Sequence, residues 1–467
     1  MLLRVLTLGT AALLLTFPGQ SAKASNLIAQ TADDIAIPET PDGDGTTPDS
    51  EGEPQLPLDE VDELILDGLT QYENQNLADA KVVLDQALEA ARANENLPQE
   101  SFALTLLSLV TVNQGEYATA IEYGEQAIAV LENVDDDQST VISLNVLALS
   151  NQTLGNFPEA IDYGQRALTL AESIEFDAGK LSALSVLATS YRTVGQYPLA
   201  LDAAQLAIPL ARSERNGEAF LSALNVASSS LLVLGDYETA LSASQDALTV
   251  ATELNNQPSR ALALSNVGLA HYRLADFDQA IKVQTEALEL AKEVGPVDVQ
   301  FTALYVLALA HYDQGEFEAT VDFYQQRLEL SRETNAVGAE LQSLLGLSSA
   351  YLDNGDFEDA IASFDTLLAL SEERNQPVFK SLSLSGLGFA NVQLQNYPAA
   401  QGQLEEALTL AKDLGDLEAE YGLLSLLAEV HQAQDNSQQA QDYAAQAEAL
   451  RTAADVSPSE ETPEEAE

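Results

Sequence analysis

The chain has three histidines and no cysteine, so a metal site or a nucleophilic centre would have few side chains to use. His271, His311 and His431 hold equivalent places in a forty-residue repeat. Layers of helices stack about 10 Å apart, whereas zinc needs ligand atoms at about 2.0–2.1 Å from one ion. No Ser-His-Asp set and no Gly-rich phosphate loop stands out. We therefore predict no metal, no cofactor and no enzymatic activity.

The elements that would position any functional residue are clearest in residues 141–180. Small and apolar residues, including Leu144, Leu147 and Ala148, share one face of a first helix. A turn follows at Gly155, and Pro158 suits the first turn of a second helix, where its missing amide would have no helical partner. This pattern predicts a helix–turn–helix hairpin.

The hairpin recurs every forty residues without insertion or deletion. The turn carries Gly115, Gly155, Gly195, Gly235, Gly315 or Gly355, replaced by Gln75, Ala275, Gln395 and Asp435. Five residues later comes Ala80, Ala120, Ala160, Ala200, Ala240, Ala280, Ala360, Ala400 or Ala440, with Thr320 as the exception. Self-similarity of this length is typical of a solenoid whose units bury their apolar faces against neighbours. The fold class is therefore all-α, with about ten units.

The pattern resembles the tetratricopeptide repeat over about residues 61–452. The residues that carry it are Leu144, Leu147, Ala148, Gly155, Phe157, Ala160 and Ala167. The forty-residue unit is similar to the variety found in kinesin light chains and many bacterial regulators, and it implies a right-handed α-α superhelical solenoid. The common Trp is replaced by Leu, and the helix-end Pro by prolines that we assign to loops: Pro98, Pro258, Pro296 and Pro377.

The resemblance also implies a binding face, because first helices line the concave side of such arrays. The candidate peptide-binding residues are Asn145, Gln152, Arg192, Asn225, Ser229, Tyr272, Arg273, Tyr305 and Tyr312. The alternative is that they only pave a solvated groove. Asn225 and Asn266 suggest the carboxylate clamp of chaperone-binding repeats, but Thr302 and Val306 stand where it needs basic residues. We therefore do not expect an acidic C-terminal peptide as ligand.

Charge excludes other partner classes. With 74 acidic and 19 basic residues the net charge is -55, which argues against DNA, RNA and anionic lipid. The acidity is compatible with basic partners, but adaptation to salty surroundings, where ions screen self-repulsion, is the preferred explanation. The acidic residues are spread over the whole chain rather than gathered in one patch. The identity of the partner and the oligomeric state stay open.

The ends of the chain have a different composition. Residues 1–24 predict a signal peptide with cleavage after Ala24; the alternative is an uncleaved anchor. Residues 25–57 predict a disordered acidic, Pro-rich linker, preferred over a calcium loop at Asp42 and Asp44. The solenoid covers 58–452, with units starting near 61, 101, 141, 181, 221, 261, 301, 341, 381 and 421. Residues 453–467 predict a disordered acidic tail.

The leading hypothesis is an exported interaction scaffold that binds a peptide or protein segment in the groove. Export would place it in the periplasm, the thylakoid lumen or outside the cell, with no membrane span after signal removal. The alternative is a peptide-responsive sensor or regulator whose superhelix changes shape on binding.

Overall fold

A computed structural model describes residues 58–295 and 297–456, which form an all-α helical repeat solenoid with no strand in those ranges. The segments predicted to be a signal peptide and a linker, and nearly all of the predicted acidic tail, lie outside the described residues. The first helices of the hairpins are α1 (Leu58–Glu73), α3 (Leu97–Gln114), α5 (Asp137–Thr153), α7 (Asp177–Thr193), α9 (Gly217–Leu234), α11 (Gln257–Arg273), α13 (Val297–Asp313), α15 (Val337–Asn354), α17 (Pro377–Gln393) and α19 (Leu417–Ala433). The second helices are α2 (Leu77–Ala93), α4 (Tyr117–Leu131), α6 (Phe157–Ser173), α8 (Tyr197–Ser213), α10 (Tyr237–Glu253), α12 (Phe277–Val294), α14 (Phe317–Glu333), α16 (Phe357–Glu373), α18 (Tyr397–Leu414) and α20 (Ser437–Val456).

The described residues form two compact units, 58–270 and 271–456. The division falls within the last turn of α11. Within each unit a helix packs mainly on the helices that precede and follow it in the chain. Each unit therefore has the nearest-neighbour packing of a repeat protein.

The turn inside every hairpin has a left-handed backbone at one residue. Gly155 has a φ of 82°, and the three other residue types that replace glycine adopt the same conformation, as at Ala275 (60°), Gln395 (59°) and Asp435 (60°). The predicted equivalence of these positions is confirmed. The geometry of the hairpin therefore outweighs the steric cost of a Cβ in this conformation.

Several helices begin with a capping side chain or a proline. Asp136 accepts a hydrogen bond from the backbone N–H of Ser139 at 3.0 Å, which satisfies one of the free amides of a helix N-terminus. Pro98, Pro258 and Pro377 lie in the first turns of first helices, so their assignment to loops is wrong. The first helical position tolerates proline because its amide has no intrahelical acceptor. α8 continues unbroken through Pro209.

The core lies where small residues let the two helices of a hairpin approach. The repeated alanines are buried, with Ala160, Ala200 and Ala240 each at 0% exposure. First helices are buried on most sides, as in α5 between Val141 and Asn151. Second helices bury one stripe, as in α6 with Ala160, Gly164, Ala167 and Ala171. Functional side chains of first helices are therefore held between neighbouring repeats.

Candidate functional site

In the unit 58–270, two of the predicted residues connect neighbouring first helices. The Asn145 amide nitrogen donates to the Gly179 carbonyl at 3.0 Å, and its buried side-chain oxygen has no hydrogen-bond partner among the described residues. The Gln152 amide nitrogen donates to the Val186 carbonyl at 2.8 Å and to Ser190 Oγ at 2.9 Å. Both side chains on α5 thus bind α7, which also carries the half-buried Arg192.

The next predicted pair lies on α9. Asn225 and Ser229 are half-buried and stand one helical turn apart. The Ser229 hydroxyl donates to the Val226 carbonyl at 3.1 Å. The side-chain oxygen of Asn225 is buried and has no partner among the described residues. An unpaired acceptor of this kind costs free energy until a donor satisfies it.

The unit 271–456 contains two tyrosine–aspartate pairs that link consecutive first helices. The Tyr272 hydroxyl donates to the Asp313 carboxylate at 2.9 Å, and Tyr312 donates in the same way to Asp353. Each tyrosine also packs against the phenylalanine that opens its second helix, with ring centroids 5.8 Å apart for Tyr272 and Phe277. The pairs hold both rings in defined positions.

Burial and the neighbouring carboxylates change the acid–base properties of these pairs. Burial raises the pKa of the Tyr272 and Tyr312 hydroxyls well above their ordinary value, and the adjacent aspartates raise it further. Burial also raises the pKa of Asp353, although the hydrogen bond from Tyr312 opposes this shift. Across the described ranges neither Asp313 nor Asp353 forms an ion pair. The two carboxylates are therefore free to accept a cation.

Sequence reasoning missed the two aspartates, although a spacing signal was present. Each aspartate follows its tyrosine by 41 residues, and Asn113 donates to the Tyr72 hydroxyl at 2.8 Å over the same interval. The interval equals one repeat plus one residue. Searching the sequence for polar partners at this offset would have found all three pairs.

The remaining predicted residues of this unit are Arg273 and Tyr305, both half-buried. The Tyr305 ring lies 6.4 Å from that of Tyr324, edge to face. The Arg327 guanidinium stands over Tyr305 at 5.2 Å from the ring centroid. Neither Tyr324 nor Arg327 was identified from the sequence, because both belong to the second helix α14.

The three histidines each bond a residue at the start of the following helix. His271 Nδ1 lies 3.1 Å from Asp276, His311 Nδ1 lies 2.6 Å from Glu316, and His431 Nδ1 lies 3.3 Å from Asn436. Among the described residues no group of three His, Asp or Glu side chains could hold a metal ion. The histidines therefore connect helix ends in the part of the chain that the structure shows.

One described helix, Gly217–Leu234, is long and apolar enough to cross a membrane by length and composition alone. More than half of its apolar window (56%) is buried inside the structure. It occupies the place of a first helix in the repeat, where burial between neighbours accounts for its composition.

Comparison with known proteins agrees with this architecture. Family models described as the tetratricopeptide repeat match residues 139–213, 220–293 and 343–378. The chain is a tetratricopeptide repeat protein. The predicted family and fold class are confirmed, and the matched residues run from α5 to α12 and again across α15 and α16. No curated protein matches the sequence at a significant level.

Several solved structures are similar to this chain at low sequence identity. A signal transduction ATPase with numerous domains and a tetratricopeptide repeat sensor, from Pyrococcus horikoshii, is 13% identical with a TM-score of 0.58. The match covers 93% of this chain and 63% of that one. A Rap protein in complex with competence and sporulation factor is 18% identical, with 77% and 99% covered and a TM-score of 0.45. A Podosopora anserina kinesin light chain with tetratricopeptide-like repeats is 16% identical, with 42% and 96% covered and a TM-score of 0.35.

Proposed function

We propose that this protein is an interaction scaffold that binds a peptide or protein segment along the exposed side of its first helices. The observation that carries the proposal is the pair of links Tyr272–Asp313 and Tyr312–Asp353. Each link presents a fixed aromatic ring beside a carboxylate without a cationic partner among the described residues. Fixed tyrosines supply contact area at a small entropic cost, which is why they are enriched at interfaces.

The charge of the links favours a basic partner segment. A lysine or arginine side chain placed between ring and carboxylate would gain a cation–π contact and an ion pair. Consecutive links are one repeat apart, about 10 Å, and an extended chain advances about 3.3 Å per residue. The links therefore suit basic side chains about three residues apart in an extended segment.

Capture of partners tests this proposal. The mature chain is immobilised and exposed to the exported protein fraction, and Tyr312→Ala is compared with Tyr443→Ala, a tyrosine on the second helix α20. We expect Tyr312→Ala to weaken capture by about tenfold, the usual size of an interface tyrosine's contribution, and Tyr443→Ala to leave it unchanged. Equal capture by both variants would contradict the proposal. Small-angle scattering with and without the captured partner distinguishes a rigid scaffold from a sensor that changes shape.

Export is a separate part of the proposal. It is supported by the apolar run Val5–Phe17 behind Arg4 and by the small residues Ala22 and Ala24. N-terminal sequencing of the protein recovered from the exported fraction should begin at Ser25. Recovery of the intact chain from the cytoplasmic fraction alone would contradict this part.

A further inference from the structure

Arg327 breaks the repeat at a position that is otherwise small or aliphatic. The equivalent residues of the other second helices are Ala87, Ala127, Ala167, Ala207, Ala247, Ala287, Leu367, Ala407 and Ala447. The arginine is only 4% exposed. A long cationic side chain therefore fills a site that the rest of the array gives to a methyl or isobutyl group.

All hydrogen-bond acceptors around the guanidinium are neutral. Nε donates to the Phe301 carbonyl at 3.4 Å, and Nη1 donates to the Ala339 carbonyl at 3.1 Å and to Ser343 Oγ at 2.8 Å. Nη2 donates to Gln342 Oε1 at 3.1 Å. These contacts place the guanidinium between α13 and α15. They use four of its five N–H groups, so one hydrogen on Nη2 has no acceptor in the described chain.

Arg327 combines burial with the absence of a counter-ion among the described residues of a strongly acidic protein. Several more exposed cations have carboxylate partners, as in Arg92–Glu100 at 2.8 Å and Arg332–Glu340 at 2.8 Å. Arg327 has no carboxylate within ion-pair distance among the described residues. Burial lowers the pKa of Arg327, yet an arginine side chain stays charged in proteins. Burying a cation without a counter-ion is costly, and the rings of Phe301 and Tyr305, with centroids 5.7 Å and 5.2 Å from the guanidinium, offset only part of that cost.

A second donor stands beside the free hydrogen. Gln342 uses its side-chain oxygen for Arg327, while its amide nitrogen has no acceptor in the described part of the chain. Gln342 and Tyr305 are both half-buried, on the first helices α15 and α13. The hydrogen bond of 3.1 Å between Arg327 Nη2 and Gln342 Oε1 keeps the Gln342 amide group beside the guanidinium.

We propose that Arg327 and Gln342 together bind one carboxylate group of the ligand, through the free Nη2 hydrogen and the Gln342 amide nitrogen. The inference rests on the proposed function, because it assigns part of the segment that the first helices bind. A carboxylate accepts hydrogen bonds on both oxygens, and its charge supplies what the buried guanidinium lacks. The basic side chain of this site belongs to the second helix α14. Thr302 and Val306, which argued against an acidic C-terminal peptide as ligand, lie on the first helix α13 and do not report on this site.

The first test places the missing charge inside the protein. Gln342→Glu puts a carboxylate within reach of Arg327, whereas Gln432→Glu adds the same charge at an exposed position of α19. We expect Gln342→Glu to raise the melting temperature by roughly 1–3 °C and Gln432→Glu to leave it unchanged or slightly lowered. If the two variants behave alike, the guanidinium does not lack a counter-ion and the proposal falls.

The second test supplies the carboxylate from solution and distinguishes its source. N-acetylglycine mimics a C-terminal carboxylate and N-acetyl-aspartic acid α-amide mimics an acidic side chain, with neutral N-acetylglycinamide as the control. Each is titrated at constant ionic strength while the side-chain N–H signals of the arginines are followed by NMR. The Arg327 signal is assigned by its loss in Arg327→Leu, a change that Leu367 shows the repeat accommodates.

We expect a saturable shift of the Arg327 signal with a Kd on the order of millimolar. The acid that binds more tightly identifies the source of the carboxylate, and Gln342→Glu should abolish the shift. No saturable shift with either acid would overturn the proposal. Partner capture that depends on Tyr312 but is unaffected by Arg327→Leu would leave the proposed function standing and remove only this inference.

Discussion

At the scale of single residues, the turn inside each hairpin shows how position overrides residue preference. The left-handed backbone suits glycine, because a Cβ there approaches the following carbonyl. Ala275 accepts this conformation without the side-chain hydrogen bonds that help Asn or Asp. The repeat therefore contains a strained residue next to the Tyr272–Asp313 link.

Exchange of alanine and glycine at this turn measures the strain. We expect Ala275→Gly to stabilise the protein by about 0.5–1 kcal/mol. This value is the steric cost of a Cβ in the left-handed conformation minus the free energy of the extra backbone entropy that glycine loses on folding. Gly315→Ala, at the equivalent turn of the next repeat, should destabilise it by a similar amount, since a Cβ there meets nothing within 4 Å and only the backbone conformation matters. Urea denaturation of both variants checks the prediction, and the same sign of change in both would contradict it.

Asp353 predicts a pH dependence with a definite sign. Burial raises its pKa in the folded state, so the folded chain holds this proton more tightly than the unfolded chain. The stabilisation that this group contributes is complete below the unfolded pKa, about 3.9 for aspartate, and is lost as the pH rises through the folded pKa.

The variant Asp353→Asn cannot ionise and keeps an oxygen that can accept the Tyr312 hydroxyl. We expect it to stabilise the protein at neutral pH by roughly a few tenths of a kcal/mol after solvent screening, and to have no such advantage near pH 3. Denaturation midpoints at the two pH values measure the difference. Asp322→Asn, an exposed carboxylate on α14, subtracts the general effect of removing one negative charge. A larger gain at acid than at neutral pH would disprove the assignment.

At the scale of elements, helix packing in the unit 271–456 depends on complementary sizes across neighbouring repeats. A Cβ on Gly346 would lie 2.3 Å from Tyr324 Cζ, and one on Gly386 would lie 2.2 Å from Phe364 Cζ. In each case a second-helix aromatic occupies the space left by a first-helix glycine 22 residues later. Between α8 and α9 the same pair of positions is Ala204 and Val226, with the larger residue on the first helix.

Reversing this pairing tests its contribution to stability. We expect Gly346→Ala to destabilise the protein by about 1–3 kcal/mol, because rigid rings cannot yield to the new methyl group. The double variant Tyr324→Ala with Gly346→Val reproduces the Ala204–Val226 pair and should recover most of that loss. Thermal melts of the single and double variants provide the measurement. A double variant less stable than Gly346→Ala would show that the side chains at positions 324 and 346 do not compete for the same space.

At the scale of the whole molecule, self-repulsion is the dominant electrostatic feature. The net charge of -55 acts against the compact state, and salt screens it with a Debye length of about 10 Å at 0.1 M. We expect the melting temperature at pH 7 to rise by several degrees between about 0.05 and 0.5 M sodium chloride. Near the isoelectric point of about 4.1 the salt effect should disappear, which separates screening from specific ion binding. A melting temperature independent of salt at pH 7 would contradict the prediction.

The sequence by itself determined the hairpin, its period, the family and the equivalence of the turn positions. These features are local and recur in every repeat, so helix periodicity, turn conformation and small residues at close approaches reinforce one another down the chain. It also placed Tyr272, Tyr305 and Tyr312 on first helices, where the structure has them.

Only the tertiary structure decided what those side chains contact. Asp313 reaches Tyr272 from the next repeat, and Arg327 reaches from a second helix to the first helices on either side of it. The spacing of 41 residues becomes a signal for the tyrosine–aspartate pairs once the packing of consecutive first helices is known. The Arg327 contacts occur once in the array, so no repetition in the sequence reports them. The same is true of the missing counter-ion of Arg327, because the lack of a carboxylate around a buried cation is a property of the packed structure.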